Sequence, residues 1–178
     1  MKAPDSIETA RLVLRRPEAD DAEAIFNRYA SDDEVTTFVA WPTHRSIEYT
    51  RLFLAFSEAE WDRWPAGPYL IHAKDEGLLL GGSGLAFETP QRAMTGYVLA
   101  RDAWGRGYAT ECMHAMIDVA RQCGVHELYA LCHTEHAASY RVLEKCGLTR
   151  ERLLPRHSEF PNLTPGIQSD VYRYELTL

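Results

Sequence analysis

The sequence predicts an α+β domain built on a mixed sheet. Strand-like runs at 69–74, 78–87 and 95–100 follow one another, the first two joined by the hairpin signal Asp75-Glu-Gly77. The remaining strand-like runs are separated by helical stretches long enough to cross over. The 178 residues suffice for one core, since domains run at about 100–200 residues. The order read along the chain is β-α-α-β-β-β-α-β-α-β-β.

Each element has a local cause. Arg11-Leu-Val-Leu-Arg15 is a short strand closed by Arg16-Pro17, and Asp20 or Asp21 can cap a helix through Ala24, Ile25 and Tyr29. After Pro42, Ser46 opens a second helix on which Tyr49, Leu52, Phe53 and Phe56 have the spacing of an apolar face. Pro65-Ala-Gly-Pro68 turns into the three-strand group, and Gly81, Gly82 and Gly84 in its second strand indicate a bulge or a close backbone approach. Tyr108 to Gln122 is a helix with Cys112, Met113, Met116, Ile117 and Ala120 on one face and Gly124 as its stop. A strand at 126–132 and a helix at 137–146 follow. Thr149 to Leu154 reads as a strand, Pro155 to Ser169 as a loop of fifteen residues, and Val171 to Leu178 as a closing strand.

Bulk properties narrow the function. A formal charge of -7 argues against nucleic acid and against an anionic membrane surface. No run approaches the roughly 20 apolar residues of a membrane span. The stretch from Met1 to Arg11 lacks a signal-peptide core, so the expected compartment is the cytoplasm. Cys112, Cys123, Cys132 and Cys146 form no Cys-x-x-Cys pair and are expected as free thiols.

The stretch that carries chemistry is Trp104-Gly-Arg-Gly-Tyr-Ala-Thr-Glu111. It follows a strand and opens a helix. Its glycines let backbone approach a ligand, and the first helical N–H groups have no internal acceptor. With the helix dipole they favour a phosphate. Arg106 and Arg101 are placed to add charge-assisted contacts. The alternative is a Gly-rich turn without a ligand.

Three segments in order resemble the GNAT N-acetyltransferases, in particular the branch of the ribosomal-protein alanine N-acetyltransferases. Thr9-Ala-Arg-Leu-Val-Leu-Arg15 with Asp20-Asp-Ala22 is similar to that branch's opening strand and helix. Gly96-Tyr-Val-Leu with the stretch 104–111 resembles its cofactor strand and loop. Ala138-Ser-Tyr-Arg-Val-Leu-Glu-Lys-Cys-Gly-Leu148 resembles its second cofactor helix. The likeness covers about residues 7–177 and implies one acetyltransferase domain over 1–178, with about four helices around a mostly antiparallel sheet that splays between the strands at 95–100 and 126–132. It implies acetyl-CoA in the gap, with its pyrophosphate on the loop Gly105, Arg106, Gly107, Tyr108, Ala109 and Thr110 beside Trp104. Its pantetheine is expected along Val98, Leu99 and Ala100, where a backbone amide would polarise the thioester carbonyl.

Four positions depart from the family pattern. Trp104 replaces the Gln or Arg of the broad motif, as is usual in this branch. His136 stands where an Asn contacts the cofactor, and imidazole offers a comparable contact. Leu143 replaces the Tyr that protonates the leaving thiolate, which leaves Ser139 as the expected catalytic group there, or as a small residue making room for the pantetheine. A thiol of pKa about 8.5 needs little help from an acid. Met94 replaces a carboxylate base, and Glu88, Glu111, Glu159 and Asp170, or a water chain ending on one of them, are the remaining candidates.

For the acceptor side the resemblance implies Trp41, Arg45, Tyr97 and Phe160 as wall residues, with Phe160-Pro-Asn-Leu163 able to fold over the substrate. The expected reaction moves acetyl from acetyl-CoA to a primary amine, a protein N-terminus or a small molecule, by direct attack in a ternary complex. The expected assembly is a monomer or homodimer without a metal. The departures motivate one rival, a CoA-binding module that does not turn over. A second rival, a metal held by Cys132, His133 and His136, has no helical i, i+4 spacing behind it.

Overall fold

The computed structural model describes residues 1–178. The strands are β1 Ser6–Glu8, β2 Leu12–Arg15, β3 Pro68–Ala73, β4 Leu79–Thr89, β5 Arg92–Leu99, β6 Glu127–His133, β7 Thr149–Glu159 and β8 Gln168–Thr177. They form one sheet in the order β1-β2-β3-β4-β5-β6-β8-β7. All neighbours are antiparallel except β5 and β6, which run parallel. The helices are α1 Ala22–Ile25, α2 Asp33–Thr36, α3 Ile47–Arg63, α4 Tyr108–Gln122 and α5 Ala137–Lys145. This is the expected α+β class, with five helical segments. The first helix is broken: α1 runs into a π-helical turn at Phe26–Ala30, and Asp32 then caps α2 by accepting from the N–H groups of Glu34 and Val35.

Alternation along the strands divides the apolar residues between two faces. Leu128, Ala130 and Cys132 of β6 join Tyr69, Ile71, Leu85, Leu99 and the α4 residues in the larger core. On the other face, Leu70, Leu79 and Ala100 pack with Ile25, Tyr29, Val35 and Leu54 of the first helices. The predicted face of α4 is buried as expected, including Cys112, Met113, Met116, Ile117 and Ala120.

The feature that positions the site is where the sheet fails to close. β5 and β6 pair only over Arg92–Met94 and Glu127–Tyr129. Beyond that no ladder joins them, while β6 stays paired with β8 as far as His133. The sheet therefore opens toward the C-terminal ends of β5 and β6, the splay that the resemblance implies. A charged network ties the closed end. Arg92 bridges Glu88 and Glu127, and the buried Arg173 of β8 meets Glu127, Glu151 and Glu175.

Two sequence expectations are corrected. The buried residues of α3 are Thr50, Leu54, Ser57 and Trp61; of the predicted apolar face only Phe53 packs in part against the core, whereas Tyr49, Leu52 and Phe56 are 52%, 67% and 55% exposed. Trp61 decides the rotation: its ring is fully buried edge-on to Tyr69 and its Nε1 donates to the Pro68 carbonyl. The second correction concerns the loop from Pro155 to Ser169. Strand β7 runs through Pro155 to Glu159, and only residues 160–167 separate it from β8. An edge strand tolerates Pro155. The irregularity between Leu154 and Ser158, with Arg156 at φ 48, is a bulge that hides the continuation from a pattern reading.

The glycines of β4 act as close-approach residues. A Cβ at Gly81 would lie 2.0 Å from the Val98 carbonyl oxygen, and one at Gly84 would lie 2.8 Å from the Pro68 Cα.

Candidate functional site

The gap between β5 and β6 is lined by backbone without strand partners. In an antiparallel ladder successive residues point alternately to one neighbour and the other. The Ala100 N–H donates to Leu80 of β4, so Ala100 and Val98 face β4. Tyr97 and Leu99 therefore direct their N–H groups into the gap. The Leu99 carbonyl there already accepts from Trp104 Nε1 at 2.8 Å. Of the predicted run Val98, Leu99 and Ala100, the ladder thus leaves Leu99 as the gap-facing amide, and adds Tyr97.

At the mouth of the gap a 3-10 turn, Arg101–Ala103, leads into the loop, where Gly105 and Gly107 take positive φ of 70 and 80. No backbone carbonyl accepts from the N–H groups of residues 105–110; the first helical bond of α4 is Glu111 to Gly107. Six consecutive amide donors at a helix N-terminus are a ready place for an anion. The loop is held from behind. Glu111 accepts from Thr9 Oγ1 at 2.6 Å, the Arg11 N–H at 2.7 Å and Arg11 Nε at 2.7 Å, and Arg11 also donates to the Arg106 carbonyl at 2.9 Å. Burial would raise the Glu111 carboxyl, but these donors outweigh it and hold it below the usual range. The guanidinium groups of Arg11 and Arg106 both lie over the Tyr108 ring. Arg101, expected to help hold a phosphate, is instead engaged by Asp32 and Glu34, and Arg28 by Asp102. The open concavity of about 320 Å³ lined by Arg28, Asp32, Arg101 and Asp102 beside Ala100 is therefore charge-balanced.

Residues 11–149 match the acetyltransferase (GNAT) domain family. The chain belongs to the GNAT acetyltransferase family. The uncharacterized N-acetyltransferase YoaA of Bacillus subtilis is 32% identical over 167 residues, covering 89% of this chain and 90% of its own. The microcin C7 self-immunity acetyltransferase MccE, solved with acetyl-CoA and AMP, superposes with TM-score 0.87 at 19% identity over 99% of this chain and 98% of its own. The ribosomal L7/L12 α-N-protein acetyltransferase RimL, solved with CoA, gives TM-score 0.84 at 22% identity over 97% of this chain and 98% of its own. At these identities the two structures speak to the fold.

In this GNAT domain the second wall of the gap comes from β6 and α5. Ser139 is half-buried on the first turn of α5, and its hydroxyl accepts from Tyr97 Oη at 3.5 Å across the gap. Burial pushes the Tyr97 hydroxyl up to about 12, so it stays protonated as a donor. The predicted His136 precedes α5, and its carbonyl accepts from the Ser139 N–H and from Cys132 Sγ. Its ring stacks on Phe38 with centroids 4.6 Å apart. His133 lies beside them, 5.2 Å from Phe38 and 4.9 Å from Phe160. The two histidines thus contact aromatic rings, and no three His, Cys, Asp or Glu side chains converge as a metal site.

Not all predicted wall residues meet at this place. Tyr97 lies against the core under α4 and reaches Ser139, whereas Phe160 is buried against His133 on the other side of β6 and presents little surface of its own. Arg45 is exposed and paired with Asp33. Trp41 is fixed through its carbonyl, which accepts from Asn162 at 2.9 Å. Asn162 also donates to the Thr36 carbonyl and accepts from the Thr43 N–H and hydroxyl. The segment after Phe160 therefore closes over residues 36–43. Sequence reading passed over Phe38, the bonding role of Asn162 and the Thr9–Arg11–Glu111 clamp. The clamp had a signal: its ends are two of the three segments that carry the family resemblance.

The four carboxylates considered as bases are all engaged. Glu111 sits in the clamp, Glu88 accepts from Tyr129 at the closed end of the sheet, Glu159 accepts from the Gly166 N–H and Asp170 from the Arg156 N–H.

Proposed function

We propose that this chain is an acetyl-CoA-dependent N-acetyltransferase that acts on a primary amine by direct attack in a ternary complex. The observation that carries the proposal is the unpaired edge of β5 ending at six free amide donors on the loop 105–110. An extended chain ending in a pyrophosphate matches that array, with the pantetheine along the Tyr97–Leu99 edge and the phosphates on Gly105 to Thr110. The names of the relatives point the same way. Bound acetyl-CoA supplies an activated acyl group on a good leaving thiol.

The residues would do the rest. The N–H groups of Tyr97 and Leu99 are preorganised donors for charge developing on the carbonyl oxygen. The Ser139 hydroxyl, held by Tyr97, would serve the leaving sulfur by hydrogen bonding. Holding both reactants in the gap supplies orientation, worth up to about 7–11 kcal/mol in well-aligned systems. The likeness to RimL favours a protein N-terminus within the amine class, with a small-molecule amine as the alternative, and the cytoplasm expected from the sequence belongs to the same proposal. Oligomeric state, monomer or homodimer, belongs to the same proposal.

The test is thiol release from acetyl-CoA over N-terminal peptides, amino acids, polyamines and aminoglycosides. Steady turnover with one of them supports the enzyme; tight CoA binding without turnover on any would favour the binding module. Gly107→Asp should abolish acetyl-CoA binding, because it places a negative charge at the amide array and a side chain at φ 80. Unchanged affinity would sink the loop assignment. Ser139→Ala should lower kcat more than it changes acetyl-CoA affinity, and intact turnover would make Ser139 structural.

A further inference from the structure

We infer that His136 is the base that takes the proton from the acceptor ammonium. The inference rests on the acetyl-transfer reading above and adds a role to it.

The geometry starts with which side of the sheet each group occupies. Cys132 and Tyr97 pack with the core under α4. His133 alternates to the opposite side of β6, the side of α2 and Phe38. The His136 ring lies with it, stacked on Phe38. Its backbone carbonyl reaches back to the Ser139 N–H and to Cys132 Sγ. His136 thus connects the leaving-group side of the gap to the face where an acceptor has room. That face is open: Gly96 shares it with Met94 and Val98, and a Cβ at Gly96 would meet nothing within 4 Å.

The ring is also chemically available, unlike the four carboxylates. Stacking on Phe38 fixes its plane, and no side-chain hydrogen bond shifts its titration. Burial, and then the neighbouring His133, lower its pKa, so it is neutral and able to accept a proton near pH 7. His133 is not equivalent. Its Nδ1 accepts from the Glu135 N–H at 3.2 Å, which places the proton on Nε2 and makes that nitrogen a donor. The titratable groups around His136 are His133 and Cys132 of β6, Tyr97 of β5 through Ser139, and Glu135 of its own turn.

The step balances as follows. The ammonium R-NH3⁺ gives one proton to a His136 ring nitrogen and becomes R-NH2. The amine nitrogen forms a bond to the thioester carbonyl carbon and the carbon–sulfur bond breaks. The second nitrogen proton goes to the departing thiolate by way of Ser139. His136 returns its proton to solvent, so an amide, a free thiol and one proton are the products.

The experiment compares wild type with His136→Gln and His136→Asn, both polar and neither basic. Thiol release is followed from about pH 5.5 to about pH 9, with a peptide bearing a free N-terminal alanine, a polyamine, an aminoglycoside, and a hydrazide that is already neutral at pH 7. The His136 ring is titrated by NMR in the free protein. For ammonium acceptors kcat/KM at pH 7 should fall about 100-fold in both variants. The wild-type acid limb should coincide with the NMR midpoint, below the ordinary imidazole value, and should be replaced in the variants by a rise following the amine's own deprotonation. With the hydrazide the deficit should largely disappear. An unchanged acid limb in the variants, or an equal deficit on the hydrazide, overturns the base role while leaving acetyl transfer standing. No thiol release by wild type with any acceptor overturns acetyl transfer and this role together.

Discussion

Replacing Glu111 by alanine tests whether the loop 105–110 is held in shape from behind. Its carboxylate is 16% exposed and accepts three hydrogen bonds, from the Thr9 hydroxyl, the Arg11 N–H and Arg11 Nε. The hydroxyl and backbone bonds are each worth about 1 kcal/mol net. The ion pair to Arg11 is discounted to about 0.5–1 kcal/mol, because the arginine side chain is 48% exposed. The sum is about 2–3 kcal/mol, or a fall in Tm of about 5–10 °C at this chain length. Glu111→Gln keeps an acceptor and should lose about half as much. The carboxyl is depressed in the folded state from an ordinary value of 4.5. The part of its contribution that depends on ionisation is therefore fully present above that pH and disappears as pH falls through the lower folded value. Thermal melts of wild type and Glu111→Ala across pH should show a gap that is widest above pH 4.5 and narrows below it. Arg11 also donates to the Arg106 carbonyl, so acetyl-CoA affinity should weaken by about tenfold as the loop loosens. A Tm within about 2 °C of wild type at pH 7 refutes the clamp.

Other outcomes follow from the packing. Gly81→Ala should destabilise the protein by more than about 3 kcal/mol in denaturant titration, because the Cβ would overlap the Val98 carbonyl and force β4 from β5. Asn162→Ala removes four hydrogen bonds that tie the 160–167 segment to residues 36–43, a loss of about 2–3 kcal/mol read in the same way, with faster proteolysis of that segment. The double variant Leu52→Lys, Phe56→Glu should leave Tm within about 2 °C, since both side chains already face solvent. A large fall in Tm would mean that α3 buries its other face.

The α3 case shows what a pattern can and cannot carry. The stripe that is buried on that helix is offset by about 100° from the apolar one the spacing predicts. Tyr49, Leu52 and Phe56 have the better composition, yet Thr50, Leu54, Ser57 and Trp61 are buried. The selection came from a non-local contact, Trp61 against Tyr69 and the Pro68 carbonyl, and from the small Thr50 and Ser57. The continuation of β7 past Pro155 was illegible for a related reason. A bulge at Arg156 restores pairing through a backbone state that has no composition signal.

The sequence by itself determined the element order from α3 onward, the helix face of α4 and the loop 104–111, because periodicity, capping and glycine placement are local properties of the chain, but it missed the short β1 and the break between α1 and α2. It also identified the gap by resemblance, through segments spread across the chain. The tertiary structure alone decided which charges are free to act. Arg101 went to Asp32 and Glu34, Glu111 to Thr9 and Arg11, and Glu159 and Asp170 to backbone amides. His136 kept a half-buried ring stacked on Phe38. Ion pairs and desolvation depend on which residues meet across tens of positions, and that information exists only once the chain has folded.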